Sequence, residues 1–257
     1  MRFRRAAVTA VVVAAAALGA SPAEASHSWG GYHWSRTSNP FTVKLGDNLS
    51  ASWKPYLATT SSDWSTSTVL DATVVGGSTN SRVCKASKGT VQVCNAAYGQ
   101  TGWLGVASIS ISGLHITQGT VKLNDTYFNT SAYNTPAWRN LVTCQEVGHT
   151  FGLGHQDEVF DNPNLGTCMD YTNDPSTNQH PNAHDYDELV LIYEHLDSSS
   201  TVAAASPARS GASAADRADN PGEWGRLVSG SERPRQVAVY KRDFGGGDKE
   251  VTFVIWA

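Results

Sequence analysis

The feature that most limits what this chain can become is the segment Gln145-Glu146-Val147-Gly148-His149-Thr150-Phe151-Gly152-Leu153-Gly154-His155. Glu146, His149, Gly152 and His155 stand one, four, seven and ten residues after Gln145. On a helix, positions 145 and 149 project from one face, so their side chains can reach a common ion. Glu146 is rotated by about 100° from Gln145 and can touch a water on that ion without being a ligand. Gly152 is expected to break the helix, because a residue without a Cβ can turn the chain sharply and bring His155 back toward the same point. The segment thus offers three metal ligands, Gln145, His149 and His155. Three protein ligands plus a water is the open geometry of a catalytic zinc, whereas a structural site closes all four positions. Zn2+ is therefore the expected cofactor, and Glu146 the expected general base for attack of a metal-bound water on a carbonyl.

The surroundings suit such a helix. Thr135 and Pro136 supply a cap and a first helical position, predicting a helix from 136 to the glycines at 152 and 154. Leu141, Val142 and Val147 form its apolar side and leave another face free. Before it, residues 26–124 read mostly as strands, with runs at 41–45, 68–75, 90–94 and 106–111 bounded by Gly, Asn or Ser. One helix interrupts them near 48–57, where Trp53, Tyr56 and Leu57 make an apolar face and Pro55 must fall in the first turn. A last helix is predicted over 184–196, with Leu189, Ile192, Tyr193 and Leu196 as its core stripe. Strands with one crossover helix, followed by helices, suggest an α/β lobe packed against a later helical lobe, an α/β (α+β) domain at 26–197.

The ends add two expectations. Residues 1–25 combine Arg2, Arg4 and Arg5, an apolar run and Ala23-Glu24-Ala25, the pattern of a cleaved signal peptide, and the run is shorter than the roughly 20 apolar residues that span a bilayer. A secreted, extracellular product follows. Loss of three arginines and one glutamate would move the formal charge from -4 to -6. That acidic chain has no dense Lys/Arg block, which argues against nucleic acid or an anionic membrane as partner. Residues 198–222, rich in Ser, Ala, Pro and Gly, read as a flexible linker. Residues 236–244 and 250–256 flank Gly245-Gly246-Gly247-Asp248 as a C-terminal β-hairpin within 223–257, too small for its own core and expected to dock on the catalytic domain. In an oxidising compartment Cys84, Cys94, Cys144 and Cys168 are expected to pair, and Cys84 with Cys94 would close a short hairpin around Lys88-Gly89.

The central segment resembles the metzincin signature HExxHxxGxxH, and Thr167-Cys168-Met169-Asp170-Tyr171 is similar to that clan's downstream Met-turn. The resemblance spans residues 29–197, weakly in the strands and strongly over 143–171; Met169-x-Tyr171 is similar to astacins and serralysins, Cys168-Met-Asp-Tyr-Thr172 to pappalysin-like members, and residues 185–193 to the last matrixin helix. It implies a twisted, mostly parallel sheet with an active-site helix and a C-terminal helix. It also implies Met169 as a structural residue under the metal, Tyr171 as a stabiliser of the transition-state oxyanion, and a Cys144–Cys168 bridge joining helix and Met-turn. The implied activity is zinc-dependent endopeptidase, acting on polypeptide substrates as a monomer. The departure is Gln145, which stands where the family has its first zinc histidine. Either its amide oxygen coordinates, or His180 or His184 substitutes, or the chain is a pseudoprotease that keeps the scaffold as a secreted binding protein. Asp157, Glu158, Asp161 and Asp170, around His155, are candidates to bind Ca2+, to orient His155, or to be plain polar loop residues. His27, His33, His115 and His195 show no ligand-like spacing and read as surface or satisfied core histidines.

Overall fold

The computed structural model describes residues 26–202, 219–234 and 236–257. The expected signal peptide lies outside the described residues, as does most of the expected linker. The described residues form a mixed α/β structure around one nine-stranded sheet. Its strands are β1 (His33–Trp34), β2 (Phe41–Asn48), β3 (Leu70–Gly76), β4 (Thr90–Ala96), β5 (Trp103–Ser112), β6 (His115–Asn124), β7 (Arg226–Gly230), β8 (Val237–Gly245) and β9 (Asp248–Trp256). The helices are α1 (Lys54–Trp64), α2 (Asp125–Phe128), α3 (Pro136–His149), α4 (Ala183–Ile192) and α5 (Pro221–Trp224).

The order β3-β2-β4-β6-β5-β9-β8-β7 divides the sheet into two halves, with β1 beside the start of β6. Strands β1, β2, β3, β4 and β6 run parallel to one another, whereas β5, β9, β8 and β7 pair antiparallel. The sheet is therefore mixed, not mostly parallel. The change of direction occurs at Gly113, whose φ of +65° closes a tight turn between β5 and β6. Sequence alternation did not mark β6, because Gln118, Gly119 and Thr120 interrupt its apolar pattern. Yet Val121 and Leu123 are wholly buried there.

The C-terminal hairpin is formed by β8 and β9. It continues the main sheet, with β9 paired along β5 from Trp103 to Ser112, and β7 adds a third strand. A hairpin this small is stabilised by completing an existing sheet edge, which supplies partners for its backbone and cover for Val251, Phe253 and Ile255. Residues 221 and 222, expected in the linker, open α5.

Both bridges, Cys84–Cys94 and Cys144–Cys168, are formed. The first closes no hairpin, however. Cys84 sits in a loop before β4, and β4 pairs in parallel with β2 and β6. The helix expected near 48–57 starts later, at Lys54, because Pro55 can occupy only the first turn. Trp53, Leu57 and Trp64 fix it to the core. In α4, Leu189, Ile192 and Tyr193 are buried as expected, but Leu196 is 57% exposed. The helix ends at Ile192, and Arg36 then draws the chain away through bonds to the His195 carbonyl and to Asp197. Among the described residues, no helix is long and apolar enough to cross a membrane.

Candidate functional site

The local sequence starts and stops α3 as expected. Thr135 accepts a hydrogen bond from the Trp138 amide at 3.2 Å, and Pro136 begins the helix. The helix closes at His149, and Gly152 makes the turn with φ +98°. A Cβ there would lie 2.2 Å from the Tyr32 carbonyl oxygen. Gly154 also lies against this N-terminal segment, where a Cβ would come 2.9 Å from the His27 carbonyl oxygen; its amide bonds to that carbonyl, and the Trp29 amide donates to Gly152 O at 2.9 Å. The residues that follow Ser26 thus brace the turn that returns His155 toward the helix.

No face of α3 is left free, since every residue from Leu141 to His149 is buried. Gly105 on β5 lets the helix approach the sheet, as a Cβ there would come within 2.6 Å of both Glu146 Oε1 and Val142. On another side, Gly148 leaves room for Met169 Sδ and the Trp64 ring, each 2.7 Å from where its Cβ would be. Met169 therefore packs directly under the helix. The Cys144–Cys168 bridge joins α3 to the same turn, and Gln156 N donates to Met169 O at 2.7 Å.

These elements gather the candidate residues. The His149 and His155 rings are 4.4 Å apart, and Tyr171 lies 4.3 Å from His155 between ring centres. His149 Nδ1 faces the Leu153 carbonyl at 2.9 Å. A carbonyl can only accept, so Nδ1 carries the proton and the Nε2 lone pair is left for a ligand. The same logic orients Gln145. Its Nε2 donates to the Cys168 carbonyl at 2.9 Å, which turns Oε1 the other way, buried and without a partner. Glu146 Oε2, His155 Nε2 and Tyr171 OH are also buried without partners. Four unsatisfied polar atoms on four motif residues are unusual in a folded core, where such groups are normally bonded. They are the donor atoms that an added cation and a polar substrate would satisfy.

The electrostatics are those of a dry site. Burial pushes the Glu146 carboxyl well above its usual range, only partly opposed by a hydrogen bond from the Ala107 backbone. Burial holds His149 down at about 4, against the opposing bond to Leu153, and drives His155 well below its ordinary value with help from the neighbouring His149. Burial also raises Tyr171, with Glu158 and Glu146 adding to the effect. Both imidazoles are consequently neutral near pH 7, the form that binds metals.

Some residues went unrecognised in the sequence. Phe253 of β9 stacks face to face on His149 at 4.2 Å, although it lies 104 positions downstream, a separation no motif spans. Gly105 carried a local signal, being a glycine inside an apolar strand. His180 and His184 do not replace Gln145: His180 pairs with Asp63 at 2.7 Å with its side chain 55% exposed, and His184 stacks on His27. Asp157, Glu158, Asp161 and Asp170 form no cluster of metal-ligating atoms among the described residues. Asp157 binds the Val159 amide and Asn162, Asp170 binds the Leu165 amide and Asn178, and Glu158 stands 3.9 Å from His155. A cavity of about 340 Å³ has Leu104, Trp138, Thr172, Ile255 and Trp256 among its walls, Thr172 being next in sequence to Tyr171. No protein-family model and no curated protein sequence matches this chain.

Proposed function

We propose that this chain is a secreted zinc-dependent endopeptidase of metzincin type, with Gln145, His149 and His155 as metal ligands. The observations that carry this reading are the orphaned buried atoms Gln145 Oε1, Glu146 Oε2, His155 Nε2 and Tyr171 OH and the close pairing of the His149 and His155 rings. Two imidazole nitrogens and one amide oxygen form a donor set suited to a borderline ion such as zinc. When bound, zinc supplies a Lewis acid that polarises a carbonyl and acidifies water.

The side chains do the rest. Glu146, whose ionised form a cation held beside it would favour against the effect of burial, accepts the proton of the attacking water at Oε2 and returns it to the departing amine nitrogen. Tyr171 donates its hydroxyl proton in a hydrogen bond to the carbonyl oxygen as negative charge develops. Met169 and the Cys144–Cys168 bridge hold the floor of the site rigid. The cavity between Leu104, Trp138 and Ile255, whose wall includes Thr172 next in sequence to Tyr171, has room for a substrate side chain. The two disulfides suit an oxidising, extracellular setting.

A second reading, a pseudoprotease that binds polypeptides, is favoured by the near-complete burial of Glu146 and His149, each 1% exposed. One experiment separates the two. The purified protein is assayed for zinc and for casein cleavage, before and after chelation, beside Glu146→Gln and His149→Gln. The protease reading expects cleavage that chelation abolishes and zinc restores. Glu146→Gln should retain zinc but lose roughly 100- to 10,000-fold in rate. Unimpaired cleavage by Glu146→Gln would overturn the mechanism, and zinc uptake at the His149 site with no cleavage would leave the binding protein.

A further inference from the structure

A second cluster of metal-ligating atoms lies away from α3 and shares no residue with it. His33 of β1, His115 at the start of β6, and His195 and Asp197 just after α4 bring their side chains together. His33 Nε2 is 3.6 Å from Asp197 Oδ1 and 3.2 Å from His195 Nε2. His115 Nε2 is 3.1 Å from the same Asp197 oxygen, and His195 Nε2 is 3.9 Å from it. The His33, His115 and Asp197 ligand atoms all lie within 4.8 Å of one another. Zinc bonded at about 2.0–2.1 Å in a tetrahedron separates its ligands by about 3.3–3.4 Å, within the spread of these distances.

We infer that His33, His115, His195 and Asp197 form a structural binding site for a divalent transition ion of the zinc class. The outer contacts favour it. His33 Nδ1 donates to the Gly31 carbonyl at 2.9 Å, which fixes the ring and leaves the Nε2 lone pair directed at the cluster. Asp197 Oδ2 is taken by the Arg36 amide at 3.2 Å and the Arg36 guanidinium at 3.0 Å, so Oδ1 alone is presented. The Arg36 guanidinium also binds the His195 carbonyl, fixing the backbone on which both later ligands sit. His33 is buried and Asp197 partly so, while the His115 and His195 side chains are 39% and 53% exposed, leaving a route for the ion.

Four ligands from three distant segments would make a closed site, the structural type. It would tie the N-terminal strand to the sheet and anchor the chain where it leaves α4, next to the Thr201 amide bonded to Ser35 O. The four residues have no motif because β1, β6 and the end of α4 meet only in the folded chain.

The test uses the full secreted chain and zinc alone. In a His149→Gln/His155→Gln background, which disables the other candidate site, the protein should still bind one equivalent of zinc. Its melting temperature should rise on the order of 5 to 10 °C at a hundredfold excess over Kd. Adding His115→Asn and His195→Gln, on the two exposed rings, should abolish both the binding and the shift while leaving the melting temperature in chelator unchanged. Cobalt loading should give the visible absorption of a four-coordinate nitrogen and oxygen site, lost in the same variant. Equal zinc uptake with and without those two substitutions would overturn the proposal. Should that variant fail to fold, imidazole 15N spectra of the His149→Gln/His155→Gln protein decide: zinc should shift the Nε2 signals of His33, His115 and His195, and unmoved signals would refute the site.

Discussion

Replacing Gly152 with alanine tests the turn that places His155. Two costs can be separated. The first is conformational: at φ +98° a residue with a Cβ loses about 1–2 kcal/mol relative to glycine. The second is steric, because the new carbon would sit 2.2 Å from Tyr32 O and 3.3 Å from the carbon that bears it. Restoring ordinary contact requires a backbone movement on the order of 1 Å, in a segment pinned by the Trp29 amide on Gly152 O. Forcing atoms into a packed interior costs about 1–3 kcal/mol, so the sum is about 2–5 kcal/mol.

Gly166 provides the control. Its φ is +75°, but nothing lies within 4 Å of its absent Cβ, so Gly166→Ala should show the conformational cost alone. For a chain of this size each kcal/mol corresponds to roughly 2–4 °C in melting temperature. Gly152→Ala should therefore melt about 2–12 °C below Gly166→Ala when both are heated in chelator and followed by circular dichroism. Zinc affinity should fall at least about 10-fold in Gly152→Ala only, since His155 follows the turn by three residues. Equal melting temperatures for the two variants would refute the steric argument, and unchanged zinc affinity would separate the turn from the ligand geometry.

Further outcomes follow from the same contacts. Gln145→His, which substitutes an imidazole for an amide oxygen, should tighten zinc binding roughly 10-fold or more in a chelator competition; unchanged affinity would remove residue 145 from the ligand set. Removing the Cys144–Cys168 bridge by double alanine substitution opens a loop with a sequence separation of 24 and should cost about 3 kcal/mol in urea unfolding. In the metal-free protein, His149 is held at about 4 in the folded state against about 6.5 unfolded. Between those values the unfolded chain binds the proton and the folded chain does not. The contribution is thus fully present above pH 6.5 and fades as pH falls toward 4, by about 3 kcal/mol. The urea midpoint should drop across that window and do so less in His149→Gln; parallel pH profiles would contradict the assignment.

What could be read in the sequence was local. The cap at Thr135, the proline at 136, the four-residue spacing of Gln145 and His149 and the break at Gly152 all act within a few turns of one helix, and the folded chain keeps each of them. Strand β6 was hidden because its central position is set by β4 and β5, not by its own alternation. The His33 cluster was hidden for the same reason, its residues being placed by β1, β6 and Arg36. The orientation of the Gln145 amide depends on a carbonyl 23 positions away. Spacing can nominate a ligand position, but only that bond shows which end of the amide faces the site.

Strand β9 links the fold to access. It occupies the edge of β5 that would otherwise be free to pair with an extended polypeptide, and from that edge Phe253 covers one face of His149. Phe253 is 1% exposed, so Phe253→Ala should cost about 3–5 kcal/mol, as for other buried aromatic rings. The same change opens the His149 face to water. Zinc should then leave faster when the protein is mixed with excess chelator, while Phe128→Ala, which removes an equally buried ring packed on Trp53, should cost about as much stability and leave zinc release unaltered. If the two variants released zinc at the same rate, lost stability and not the uncovered ring would control access. Faster release confined to Phe253→Ala would identify the Phe253 ring, held by β9, as the group that limits access to the covered face of His149.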